Sequence, residues 1–157
     1  MNAIALLKAD HEKVKKLLTQ LESTTERGVK TREELLSKIE HELLIHTQLE
    51  EKIFYPAYKA AGGKEEATMD AEAREEHRAV EDLVLPDLKA TDPSKITFSG
   101  RTKVLKELLE HHIEEEEDEL FPQAKKLLSA KVLNELGSAM QALRAELKKE
   151  AASGKAA

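Results

Sequence analysis

Four histidines and two glutamates in this chain have the types and the spacing to hold metal ions. His46 and Glu50, and again His112 and Glu116, stand four residues apart. On a helix that step is a rotation of only ~40° and a rise of ~6 Å, so each pair can converge on one object beside the helix. The stretch HTQLEEKIFYP, His46 to Pro56, returns as HIEEEEDELFP, His112 to Pro122, and His11 returns as His77. All obey one offset of 66 residues: 11 to 77, 46 to 112, 50 to 116 and 56 to 122. Four imidazoles and two carboxylates would then meet at one level of the fold. Left without metal, two buried carboxylates must be desolvated at a cost or take up protons. A pair of cations relieves that conflict, each held by two His and both shared by Glu50 and Glu116. Positions remain for a bridging oxo or hydroxo group and a small molecule. Mixed imidazole and carboxylate ligands suit iron best, with manganese or zinc as alternatives.

Helices are needed to place these groups. Ile4, Leu7, His11, Val14, Leu18 and Leu21 recur at three- and four-residue steps, the stripe of an amphipathic helix over about 2–24. After ERGVK, Thr31 with Glu34 reads as a capping box that opens a second helix, with Ile39, Leu43, His46, Glu50, Ile53 and Ala57 inward and Gly62-Gly63 at its end. A third helix, about 64–90, turns Ala73, His77, Val80 and Val84 inward. TDPSKITFSG reads as a loop, and a fourth helix from about Arg101 carries Leu105, Leu109, His112, Glu116 and Leu120 inward. Ser129 caps a further helix, and a polar tail follows.

The apolar positions share the repeat: Val14 with Val80, Leu18 with Val84, Ile39 with Leu105, Leu43 with Leu109. A duplicated helix hairpin closes most simply into an all-α, up-down-up-down four-helix bundle. The expected organisation is a single domain over 1–150, with halves at about 2–62 and 64–128, a C-terminal helix at 129–150 and a flexible tail at 151–157.

Neighbouring groups are set aside on geometry. His41 lies ~140° around the helix from His46, and His111 ~100° from His112, so both are expected outside the ligand set. The run Glu114 to Glu119 is expected to be mostly a solvated face, with only Glu116 inward. Glu81, one turn after His77, has Lys15 as its repeat mate, so symmetry gives it no support as an extra ligand. Tyr55 and Tyr58 follow Glu50 by one and two turns, where they would pack or carry electrons or protons.

Composition bounds the remaining classes. The 157 residues include no Cys, which removes disulfides, thiolate metal sites and Cys nucleophiles. A formal net charge of −6 argues against nucleic acid as a main partner, and no apolar run approaches the ~20 residues of a membrane span. The start MNAIALLKADHEK lacks the basic opening and cleavage site of a signal peptide, so a cytoplasmic protein is expected, as a monomer or weak homodimer.

A ferritin-like di-iron site has Glu three residues before His. Here those places hold Lys8, Lys38, Leu43, Arg74, Leu108 and Leu109, none acidic. The order found, His-x-x-x-Glu on the second and fourth helices with one His on the first and third, resembles the hemerythrin-like HHE cation-binding family. The motifs that carry the resemblance are DHEKV, HTQLEEKIFYP, EEHRAV and HIEEEEDELFP, spread over about 2–128. The resemblance implies a non-haem di-iron centre with ligands at His11, His46, Glu50, His77, His112 and Glu116. It also implies a small diatomic ligand, oxygen or nitric oxide, in sensing or stress response. The alternatives are a redox enzyme acting on oxygen, nitric oxide or peroxide, and an iron-centre repair protein. Oxygen carriers of the family have His-x-x-x-His on the third helix. This chain has Ala73 there, and the open ligand position is expected beside it.

Overall fold

A computed structural model describes residues 1–156, with side chains through 154. The described residues are mostly helical: α1 Ala3–Glu22, α2 Val29–Leu49, α3 Tyr55–Ala61, α4 Lys64–Ala79, α5 Leu85–Lys89, α6 Ile96–Glu115, α7 Phe121–Leu127 and α8 Ala130–Ala156. Three π-helical turns, Glu50–Phe54, Val80–Val84 and Glu116–Leu120, join α2 to α3, α4 to α5 and α6 to α7. Each joined pair is one long rod, so α1 and three such rods make the expected up-down-up-down four-helix bundle. The helix α8 packs along α1 and α2.

The π turns have a chemical cause. Pro56, Pro86 and Pro122 each stand second in the helix that follows. A proline ring crowds the carbonyl four residues back and offers it no N–H. Widening one turn to i→i+5 bonding resolves this: the N–H groups of Tyr55, Leu85 and Phe121 donate to the carbonyls of Glu50, Val80 and Glu116. The extra residue shifts the inward stripe by one. From the last residues of the turns onward, Phe54, Tyr55, Tyr58 and Leu85 are buried, whereas the predicted Ile53, Ala57 and Val84 are only half-buried.

Several boundaries differ from the sequence reading. Helix α2 starts at Val29 with Gly28 as its cap, so Thr31 and Glu34 lie inside it and form no capping box. Helix α6 starts at Ile96, because the predicted loop ends in a turn around Asp92, whose carboxylate accepts the Ser94 N–H at 2.9 Å. Phe98 then packs into the core from the first turn of α6. The cap at Ser129 forms as expected, its hydroxyl accepting the Val132 N–H at 3.1 Å. Helix α8 runs to Ala156, past the boundary at 150, and residue 157 of the predicted tail lies outside the described residues.

Among the described residues two apolar clusters fill the bundle. One gathers Leu7, Leu49, Phe54, Tyr55, Tyr58, Phe121 and Met140. The other gathers Val14, Leu18, Ile39, Val80, Leu88, Phe98 and Leu105. The repeated His and Glu residues occupy the level between them. The far end of the second cluster is closed by buried Arg32, whose guanidinium donates to Thr24, Pro93 and Ser99 and lies 4.8 Å from the Phe98 ring centre. Among the described residues no helix is long and apolar enough to cross a membrane.

Candidate metal centre

All six predicted residues are buried and meet. His11 and His46 stand with Glu50 and Glu116 in one group, and His77 and His112 with Glu50 in a second. Each glutamate spans the two histidine pairs. Glu50 Oε1 lies 3.2 Å from His46 Nε2 and 3.1 Å from His77 Nε2. Glu116 Oε1 lies 3.0 Å from His112 Nε2 and 3.4 Å from His11 Nε2. The His77 and His112 Nε2 atoms are 3.1 Å apart. Neighbouring ligands of one ion with bonds of ~2.1 Å at right angles stand ~3 Å apart, so these separations suit a shared cation.

The same imidazoles are fixed from outside. His11 Nδ1 faces Glu117 and His77 Nδ1 faces Glu51, both at 2.7 Å. His46 Nδ1 faces Asp10 at 3.0 Å and His112 Nδ1 faces Glu76 at 2.7 Å. A carboxylate on Nδ1 selects the tautomer whose Nε2 lone pair points inward and makes that nitrogen a better donor to metal. These outer groups also follow the repeat, Asp10 with Glu76 and Glu51 with Glu117. The sequence reading missed all four and placed Glu117 on a solvated face. The signal was present as an acid directly before each of His11 and His77 and directly after each of Glu50 and Glu116. Arg144 of α8 donates to Asp10 at 2.7 Å, tying the last helix to His46.

The centre bears the marks of missing partners. His11 Nε2, His46 Nε2, both Glu50 carboxylate oxygens and Glu116 Oε1 are buried with no hydrogen-bond partner. Unpartnered buried polar atoms are costly, and here they all face one another. The donor set fits a pair of cations by its chemistry and its orphaned atoms. Without them, protons take their place. Burial pulls the His46 pKa down, but Glu50 and the Asp10 hydrogen bond outweigh it and hold the group at about 10. His77 and His112 are raised against burial by Glu50, Glu51, Glu76 and Glu116. Burial pushes Glu116 up, yet the His112 charge and bonds from its neighbours hold it well below the usual range.

Two aromatic rings break the symmetry. Tyr55 stacks on His77 at 5.6 Å, and its repeat mate Phe121 stacks on His11 at 5.7 Å. Only Tyr55 has a hydroxyl, which donates to Glu116 Oε2 at 3.0 Å. Tyr58 is further off, its hydroxyl bonded to Gln123 at 2.5 Å. His41 is absent from the cluster, and exposed His111 stands outside it with Glu76 and Glu115.

A cavity of about 30 Å³ touches all four imidazoles and is walled by Val14, Leu43, Val80, Leu109 and Ile113, with Thr47, Glu76 and Glu81 as added polar groups. A water needs ~10–15 Å³ on this measure, so a ligand of two heavy atoms fits. Ala73 does not line this cavity. It borders a smaller one of about 20 Å³ with His112 and Glu116, so the expected place beside Ala73 is not the larger space that the four imidazoles share.

Known proteins resemble this chain in sequence and fold. A crystal structure of a hemerythrin HHE cation binding domain-containing protein from Mycobacterium kansasii is similar, with a TM-score of 0.84 and 29% identity over 98% of this chain and 91% of that one. A DNA nickase from Nostoc sp. is 25% identical over 147 residues, 94% of this chain, and the chain spans 40% of that protein's length. Residues 2–124 match the hemerythrin HHE cation binding domain, and the chain belongs to that family.

Proposed function

We propose that the chain holds two iron ions, one at His11 and His46 and one at His77 and His112, with Glu50 and Glu116 shared between them, and that it binds a small ligand beside them. The observation that carries this is the orientation of four imidazoles, each with Nδ1 on a carboxylate and Nε2 directed at the shared glutamates. When bound, the irons supply an open coordination position for oxygen or nitric oxide. Asp10, Glu51, Glu76 and Glu117 orient the histidines, and Val14, Leu43, Val80 and Leu109 exclude bulk water from the ligand space. The role we assign to such binding is sensing or stress response, which requires no turnover.

A redox enzyme acting on oxygen, nitric oxide or peroxide is the second reading, favoured by Tyr55. Its hydroxyl is buried on the Glu116 carboxylate, where it can hold a proton against the centre. DNA nicking, named for the Nostoc protein, is not carried over, because a net charge of −6 does not favour a phosphate backbone.

The test is metal analysis of protein purified without added metal, then optical titration with azide in the oxidised form and nitric oxide in the reduced form. Two irons per chain and spectral changes with both ligands are expected. A chain without transition metal, or a loaded centre that ignores both, refutes the reading. Tyr55→Phe should leave metal content and ligand binding intact, and lower peroxide turnover only if the second reading holds.

A further inference from the structure

The wall between the ligand cavity and solvent has a particular residue in it. Glu81 lines the inner cavity together with the four imidazoles, and it also lines a groove on the outer surface formed with Glu40, Leu44, Leu85, Pro86 and Lys89. Among the described residues no other belongs to both linings. Glu81 is half-buried at the start of the second π turn, one helical turn beyond His77.

Its surroundings are acidic. The charges of Glu51 and Asp82 act on it through space, as does His77, the Thr47 hydroxyl bonds it, and on the outer side Lys89 is held by Glu40 at 2.6 Å. Glu51 is itself engaged with His77 at 2.7 Å and Arg74 at 3.6 Å. Lys15 stands at the repeat-related position of Glu81, and Ile113 at that of Thr47. The polar opening therefore exists on one side of a pseudo-symmetric centre.

We propose that Glu81 is the portal residue of the ligand cavity and that its carboxylate makes the route selective for uncharged small molecules over anions. A like charge at a narrow opening slows anion entry and leaves neutral molecules unaffected. The inference rests on the metal-centre reading, because bound iron reports ligand arrival.

The experiment measures association rates on the iron-loaded protein at mildly alkaline pH, with azide on the oxidised form and nitric oxide on the reduced form. Glu81→Gln removes the charge at nearly constant size. It should raise the azide rate about threefold to tenfold, leave the nitric oxide rate within about twofold, and abolish most of the acceleration of azide entry by added salt. Glu81→Trp fills the opening and should slow both probes by roughly tenfold or more, while Glu72→Trp, beside the smaller cavity, should slow neither. Iron content, measured on every variant, separates the two ideas: loss of iron in the parent fails the metal-centre reading. With iron retained, azide and nitric oxide rates that change together in Glu81→Gln, or not at all, overturn the portal. Slowing by Glu72→Trp but not by Glu81→Trp moves the route to the other cavity. If Glu81→Trp loses iron, the Gln variant and its salt dependence decide alone.

Discussion

Removing the carboxylate of Glu117 tests whether the outer acids set the strength of the centre. This group lies 2.7 Å from His11 Nδ1, and its side chain is 25% exposed, so the bond is short but not sealed from water. A hydrogen bond to a charged group contributes about 1.5–3 kcal/mol, and removing the partner of a metal-bound histidine typically weakens the metal about 10- to 100-fold. Glu117→Ala should therefore lose about 1.4–2.7 kcal/mol of binding free energy at the ion held by His11 and His46. Partial exposure places the effect toward the lower end, since water can replace the lost acceptor. Glu117→Gln keeps an acceptor without the charge and should lose only a few-fold. The assay is anaerobic competition of ferrous iron against a chelator of known affinity, resolved into two binding steps. Glu117→Ala should shift one step, Glu51→Ala the other, and Glu114→Ala, on the exposed part of the same acidic run, neither. An affinity within about twofold of the parent for both Glu117→Ala and Glu51→Ala would refute the reasoning.

Glu50→Ala and Glu116→Ala should each lower metal content to one ion per chain or fewer, since each carboxylate reaches both histidine pairs, while His41→Ala leaves it unchanged; metal analysis decides. The metal-free protein should lose stability at both ends of the pH range. His46 is raised from 6.5 to about 10, so its contribution is complete below pH 6.5 and is lost as pH rises through about 10. Glu116 is depressed below 4.5, so its contribution is complete above 4.5 and is lost on acidification. Urea unfolding of metal-free protein should give its highest midpoint between those limits, and an increase from pH 7 to 10 would contradict the assignment. Gly137→Ala should destabilise the fold by about 1–3 kcal/mol, because a methyl there meets the backbone of Met1 and, at 3.0 Å, of Ala3; thermal melting reads the loss.

The sequence alone determined the bundle and the six inward groups because both follow from periodicity. A stripe at three- and four-residue steps specifies which face of a helix is buried. A second copy at a fixed offset then specifies that the two faces meet. His11, His46, Glu50, His77, His112 and Glu116 were legible for that reason. The tertiary structure decided what periodicity does not encode. Three prolines widened three turns and moved Phe54, Tyr55 and Leu85 into the core in place of Ile53 and Val84, a change of register that depends on how a backbone relieves a steric clash. The four outer carboxylates act between different helices, so their partners could be known only once the helices were set side by side. The ligand space is set by the gap left among Val14, Leu43, Val80 and Leu109 after packing, and no single residue such as Ala73 announces it.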